Sequence, residues 1–127
     1  MKKNFIHLHL HSEYSISDSL IRIKDLIKES SDNNYPAVAI TDLNNIFSLV
    51  KFYKTAIKNG VKPIIGIEID LKNKDSENNF SRIVLLCKNM KGFHNLSNLI
   101  TDAYVNLGDD NKFFISKDQL ADKSDGL

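Results

Sequence analysis

Short apolar segments alternate with amphipathic ones along this chain, and this alternation restricts the possible folds more than any other feature. The apolar stretch at 37–41 predicts a short strand that is buried on both faces. The segment that follows carries apolar residues at three- and four-residue steps, which predicts an amphipathic helix. Its apolar positions are Ile46, Leu49, Val50, Tyr53 and Ile57. Strands joined by crossover helices predict an α/β protein with a mostly parallel sheet and flanking helices.

The remaining segments extend this pattern to the order β-α-β-α-β-β-α. Strands are predicted at 5–11, 64–69 and 83–87, and helices from residue 23 and over 96–104, the last closing near Gly108. The first helix is expected to begin at a cap formed by Asp18 or Ser19. A polar turn is predicted at 75–79, and 113–120 is expected to form a weak strand or a short helix.

The composition is that of one soluble globular domain. The 127 residues include 17 Lys and Arg against 16 Asp and Glu, a net charge of +1, which disfavours a cationic nucleic-acid clamp. Cys87 is the single cysteine, so a disulfide within the chain is excluded and a reducing cytoplasm is expected. Because Cys87 ends a buried strand pattern, we expect a small core residue. The apolar runs are shorter than the roughly 20 residues that span a bilayer.

Histidines alternate with apolar residues near the N-terminus. This period of two predicts a strand with Ile6, Leu8 and Leu10 on one face and histidines on the other. His9 and His11 would then lie about 6.5–7 Å apart on one face. Because imidazole nitrogens bind zinc-like ions at about 2.0–2.1 Å, this pair could converge on one ion. Display of polar side chains to solvent is the alternative interpretation.

Polar residues also follow the ends of the predicted strands. In parallel α/β folds, ligands bind beyond the carboxyl ends of the strands. His9 and His11 end the first strand, Asp42 follows the second, Glu68 lies on the third, and Asp18 lies in the first loop. Taken singly, Asp18 is explained as a helix cap and Glu68 as a surface residue. Their joint placement predicts a metal site at one rim of the sheet.

Several ordered motifs resemble those of the PHP (polymerase and histidinol phosphatase) family. They read HLHLHSEYS at 7–15 with Asp18, AITDL at 39–43 before LVKFY at 49–53, KPIIGIE at 62–68, and VLLC at 84–87 before GFHNL at 92–96. The set is similar to the PHP domain that begins the alpha subunit of bacterial replicative DNA polymerase III. The resemblance extends from about Phe5 to Leu127, essentially the whole chain.

The resemblance implies a (βα) barrel of seven strands, of which residues 1–127 would supply about four. The chain would thus be the N-terminal portion of a PHP domain, ending before the barrel closes. Metal-competent members hold up to three ions and hydrolyse phosphoesters with a metal-bound hydroxide, consistent with multi-ion catalysis. The implied metal ligands are His9, His11, Asp18 and Glu68, and the implied motif-supporting residues are His7, Ser12, Tyr14, Thr41 and Asp42.

Two positions depart from the ligand pattern of the family. Leu43 replaces a histidine and has no lone pair to donate, and Arg82 replaces another and carries a positive charge. The last ligands of the family would fall beyond Leu127. We therefore expect a degraded site that holds Zn, Mn or Mg weakly, or no metal, and we assign no catalytic residue.

The resemblance implies a structural role in DNA replication. Nucleotide transfer would require a downstream palm domain, so this chain would be a scaffold or a docking module for the proofreading exonuclease subunit. Its other partner would be the remainder of the alpha subunit, with DNA reached through the holoenzyme and no membrane involved. A stand-alone metal-dependent phosphoesterase and a nonfunctional gene fragment are the alternatives. An isolated chain is expected to expose apolar surface and to aggregate or oligomerise.

Overall fold

A computed structural model of the chain describes residues 5–72, 80–107 and 112–127. A 3₁₀ turn at Glu13–Ser15 precedes the helices α1 (Ile23–Asp32), α2 (Leu49–Lys58), α3 (Met90–Val105) and α4 (Lys117–Asp122). The strands are β1 (Ala37–Ile40), β2 (Lys62–Lys72), β3 (Phe80–Leu86) and β4 (Ile115–Ser116). The turn predicted at 75–79 and the helix end predicted near Gly108 lie outside the described residues.

The long strand β2 organises the sheet. Its first part pairs in parallel with β1, where Ala37 lies beside Lys62, and its last residues pair in parallel with β4. Its second part pairs with β3 in the antiparallel direction, from Gly66 to Lys72. The mixed α/β architecture with a mostly parallel sheet and flanking helices is confirmed. The segment predicted as a weak strand or a short helix forms both, β4 followed by α4.

Alternation along β2 separates the core from the candidate site. Ile67, Ile69 and Leu71 are buried in an apolar core that β2 shares with β3, α3 and β4. Because successive side chains of a strand point to opposite faces, Glu68 and Asp70 lie on the other face. A second core joins α1, β1 and α2; it contains Ile23, Ile27, Val38, Ile40, Phe52, Ala56 and Val61.

The N-terminal strand predicted at 5–11 is wrong. The segment runs beside β1 and accepts hydrogen bonds at His7 O from Ala39 N (2.9 Å) and at Leu10 O from Thr41 N (2.8 Å), but it forms no regular strand. The three-residue interval from His7 to Leu10 therefore lies opposite the two-residue interval from Ala39 to Thr41. The N-terminal segment carries one extra residue, which interrupts the hydrogen-bond ladder as in a β-bulge. The interruption cancels the predicted period of two, and Leu8 is exposed although it was assigned to the apolar face.

The helix predicted from residue 23 does begin at Ile23, but the cap predicted for it is wrong. The helix begins after Arg22, whose side chain makes no capping hydrogen bond. The Ser19 hydroxyl instead donates to His11 O (2.8 Å) and accepts from Ile21 N (3.1 Å). Ser19 therefore braces the loop after His11, and Asp18 faces the candidate site described below.

The apolar face predicted for α2 is displaced. Phe52 and Ala56 are fully buried, whereas Val50, Tyr53 and Ile57 are each at least half exposed. Helical spacing alone cannot choose between two adjacent apolar stripes, and α2 packs on α1 and β2 through the stripe that carries the Phe52 ring. The second stripe of α2 is therefore left exposed. No helix in the described ranges is both long and apolar enough to cross a membrane.

The last residues of the chain pack closely against the start of α3. Lys88 N donates to Gly126 O (2.8 Å), and Asn95 Nδ2 donates to Asp125 O (2.8 Å). Gly126 has φ +84°, and a Cβ atom on Gly92 would overlap its backbone. Two residues without side chains are thus needed where the chain end crosses α3.

We expect Gly92→Ala to lower the free energy of unfolding of this domain by about 3 kcal/mol, because overpacking against backbone forces the chain end to move. Gly60→Ala is the matched control. Gly60 also has a positive φ, +72°, but it faces open space, so only backbone strain of about 1 kcal/mol is expected there. Urea titration of both variants measures the difference, and equal losses would contradict this account.

Candidate metal centre

Three potential ligands converge at the edge of the sheet face that carries Glu68. The Glu68 Oε1 atom lies 3.3 Å from His9 Nε2, and Oε2 lies 2.7 Å from His11 Nε2. One donor atom from each residue falls within 4.8 Å of the other two. Ligand atoms about 2.1 Å from a shared ion lie roughly 3–3.5 Å apart. The Glu68 contacts are close to this spacing, and small side-chain shifts would bring all three residues onto one cation.

The orientation of His11 supports a shared ion over a simple hydrogen bond. His11 Nε2 is buried and, within the described part of the chain, makes no hydrogen bond with acceptable geometry. It nevertheless lies 2.7 Å from a Glu68 oxygen. Two potential metal-ligand atoms that lie close together without forming a hydrogen bond can both be directed at a third atom, such as a shared metal ion. A buried nitrogen left in this state costs free energy, which coordination would recover.

A buried carboxylate holds the loop that follows His11. Asp42 is almost fully buried and accepts hydrogen bonds from four donors of three serines. Ser12 donates its backbone N–H to Oδ1 (2.6 Å) and its hydroxyl to Oδ2 (2.8 Å). Ser15 Oγ lies 2.8 Å from Oδ1, and Ser48 Oγ lies 2.6 Å from Oδ2. Asp42 therefore supports the centre and has no oxygen directed at it.

Asp18, the fourth implied ligand, lies outside the three-residue centre. Its Oδ2 atom is 4.0 Å from His11 Nδ1, which is too long for a hydrogen bond, and also 4.0 Å from an Arg82 guanidinium nitrogen. The side chain of Asp18 is thus positioned between an imidazole and a guanidinium. Its contribution to His11 is electrostatic.

Asp70 and Asn44 belong to this site, although the sequence analysis did not include them. Arg82 Nε lies 3.2 Å from Asp70 Oδ1, and Asn44 Nδ2 donates to Asp70 Oδ2 (2.8 Å). Asn44 Oδ1 in turn accepts from Asp70 N (3.0 Å). The signal available in the sequence was the period of two that places Asp70 on the same face as Glu68. The pairing of Asn44 with Asp70 requires the left-handed backbone at Asn44, φ 55°, which a pattern does not reveal.

The comparisons agree with this architecture. The PHP domain family matches residues 7–127. The chain belongs to the PHP domain family. It is 44% identical over 127 residues to the DNA polymerase III alpha subunit of Pseudomonas fluorescens, and 41% identical over 127 residues to that of Pseudomonas aeruginosa. Both alignments cover 100% of this chain, which spans only 11% of the length of each relative.

Solved structures of low sequence identity share the fold of this PHP domain. An amidohydrolase from Chromobacterium violaceum superposes with a TM-score of 0.59 at 20% identity, over 79% of this chain and 33% of that one. A putative metal-dependent phosphoesterase from Bifidobacterium adolescentis gives 0.55 at 16% identity, over 80% and 33%. The resemblance to the PHP family is thereby confirmed for sequence and for fold.

Leu43 lies directly beside the candidate centre. It forms an isolated parallel bridge with Glu68, and paired residues of neighbouring strands project to the same face. An apolar side chain therefore stands beside the Glu68 carboxylate. A histidine at this position could have added a nitrogen ligand, and leucine cannot.

The remaining motif residues support the backbone around the centre. Thr41 Oγ1 accepts from Leu10 N (2.8 Å), and Tyr14 O accepts from Asn45 Nδ2 (3.0 Å). His7 lies apart from the three-ligand cluster, with its ring edge-on to Tyr35 at a centroid distance of 5.7 Å. His7 is therefore a natural control for the other two histidines.

We expect Asp42→Ala to lower the free energy of unfolding by about 3 kcal/mol, because it leaves buried serine donors without an acceptor. Asp32→Ala is the control: Asp32 is exposed and forms an i,i+4 pair with Lys28 at 3.2 Å, so a change below about 0.5 kcal/mol is expected. Chemical denaturation measures both. Similar losses for the two variants would contradict the supporting role of Asp42.

Cys87 is expected to react slowly with thiol reagents. The side chain packs against the core beside β3, and burial raises the pKa of the thiol. The reactive thiolate therefore forms at a higher pH than in an exposed cysteine. The rate of labelling with a disulfide reagent should rise at a higher pH in the native protein than in the urea-unfolded protein. Coincident profiles would contradict core placement.

Proposed function

We propose that this chain is the N-terminal PHP segment of a replicative DNA polymerase III alpha subunit and that its role there is structural. Alignment of all 127 residues of this chain to two such subunits at 41–44% identity supports the parent protein. Because the chain spans 11% of those relatives, nucleotide transfer is proposed for other parts of the parent polypeptide. The remainder of that subunit and its proofreading exonuclease are the proposed partners, with DNA reached through the holoenzyme.

The observation that carries this proposal is the partial ligand set. His9, His11 and Glu68 converge, but Leu43 and Arg82 occupy the surroundings where further ligands would be needed. Phosphoester hydrolysis by closely spaced ions needs more than one complete site to stabilise both the attacking and the leaving oxygen. The geometry therefore favours a residual metal site over a working hydrolase.

His9, His11 and Glu68 would hold Zn²⁺ or Mn²⁺ in preference to Mg²⁺. Two imidazoles and one carboxylate suit the first two ions, whereas Mg²⁺ favours oxygen ligands. When bound, such an ion would supply a positive charge that polarises its ligands. In this chain it would join the N-terminal segment, whose pairing with β1 is interrupted, to β2.

A structural metal would stabilise the domain without adding turnover. We expect the polypeptide encoded by the complete reading frame to bind Zn²⁺ or Mn²⁺ at this centre and to lose that ion in His11→Ala, with His7→Ala as the matched control. At free metal 100-fold above Kd, the stabilisation should be about 2.7 kcal/mol. Metal analysis after gel filtration and denaturation with and without chelator provide the measurements.

Hydrolysis distinguishes this proposal from a stand-alone phosphoesterase. A generic activated phosphodiester should show no turnover above the level of the His11→Ala variant, in zinc or in manganese. Turnover that His9→Ala abolishes would instead support the hydrolase.

Association with the proofreading exonuclease, measured by gel filtration of the two proteins, should persist in His11→Ala, since the proposed docking role requires the fold and not the ion.

A further inference from the structure

Arg82 lies among carboxylates that a second cation would otherwise approach. Arg82 on β3 is the register partner of Asp70 on β2. Two residues away along the same hairpin, Val84 is the partner of Glu68. The hairpin register thus projects the Arg82 side chain along the face that carries the centre. Its Nε atom is 3.2 Å from Asp70, and its Nη1 atom is 4.0 Å from Asp18.

The acidic neighbours of Arg82 already face other side chains. Asp70 has one oxygen facing Arg82 and the other bonded to Asn44. Asp18 uses a single oxygen to face both Arg82 and His11. A second metal ion would need these carboxylates as ligands, and it would meet a guanidinium that cannot lose its proton.

The charges of this group balance for a single divalent ion. Glu68, Asp18 and Asp70 carry three formal negative charges, Arg82 carries one positive charge, and histidines bind metals in the neutral form. The remaining formal charge of −2 is cancelled by one divalent cation. A second such ion would leave an excess of +2 in a partly buried site, which is unfavourable.

We infer that Arg82 acts as a fixed internal cation that takes the place of a second metal ion and limits the centre to one. It is a specificity-determining residue for metal stoichiometry, with Asp18 and Asp70 as its counter-ions. This inference rests on the metal site under the proposed function, and it adds the reason why the site cannot expand to several ions.

The test is metal stoichiometry in the polypeptide encoded by the complete reading frame. Zn²⁺ and, separately, Mn²⁺ are titrated calorimetrically, and a variant with both His9→Ala and His11→Ala supplies the background from ions bound elsewhere. The wild type should bind one ion above that background. Arg82→His removes the fixed charge and adds a nitrogen ligand, so the stoichiometry should double to two. Arg82→Lys keeps the charge and should remain at one.

Arg82→Gln separates charge from ligation. It removes the positive charge without adding an imidazole, so a second, weaker ion is expected if charge exclusion decides the stoichiometry. The side chain of Arg82 is half exposed, and circular dichroism checks that each variant keeps the native fold. Two ions in the wild type, two in Arg82→Lys, or one in both Arg82→His and Arg82→Gln would overturn the role of Arg82.

The two proposals fail in different ways. No ion above background in the wild type would overturn the metal centre, and the single-ion inference would be overturned with it. One ion in the wild type and in every Arg82 variant would leave the metal centre intact and overturn only the inference.

Discussion

The carboxylate of Asp42 is the contact on which the rest of this site depends. It lies directly after β1 and collects donors from the loop after His11 and from the residue before α2. The loop after His11, about 30 residues away in sequence, is thereby fixed to the end of β1 and the start of α2. Because hydrogen bonds to a buried acceptor are costly to leave unmade, this contact positions His11 whether or not an ion is bound.

Strand β2 separates the apolar core from the charged residues of the site. Its alternation buries Ile67 and Ile69 and sets Glu68 on the opposite face. The same period aligns Asp70 with Glu68, and the antiparallel register then brings Arg82 to Asp70. One residue of slippage in this register would exchange the two faces, so packing of the core and placement of the charges specify each other.

Sequence patterns predicted what depends on periodicity and missed what depends on tertiary hydrogen bonds. The buried strand β1 and the crossover helix α2 follow from period and strand order. His9, His11 and Glu68 lie together although the period of two that suggested the histidine pair is interrupted. The N-terminal segment fails as a strand because an extra residue changes its hydrogen bonding to β1. Asp18, predicted as a ligand or a cap, lies between His11 and Arg82, a placement that the loop geometry determines.

The fold around the centre is maintained by contacts that need no ligand at positions 43 and 82. The backbone of Leu43 pairs with Glu68, and its N–H donates to Ser15 Oγ (3.1 Å). Arg82 supplies a shared counter-ion to Asp18 and Asp70, two carboxylates that would otherwise repel each other. An apolar side chain and a fixed charge therefore satisfy the local hydrogen bonds and electrostatics without coordinating an ion.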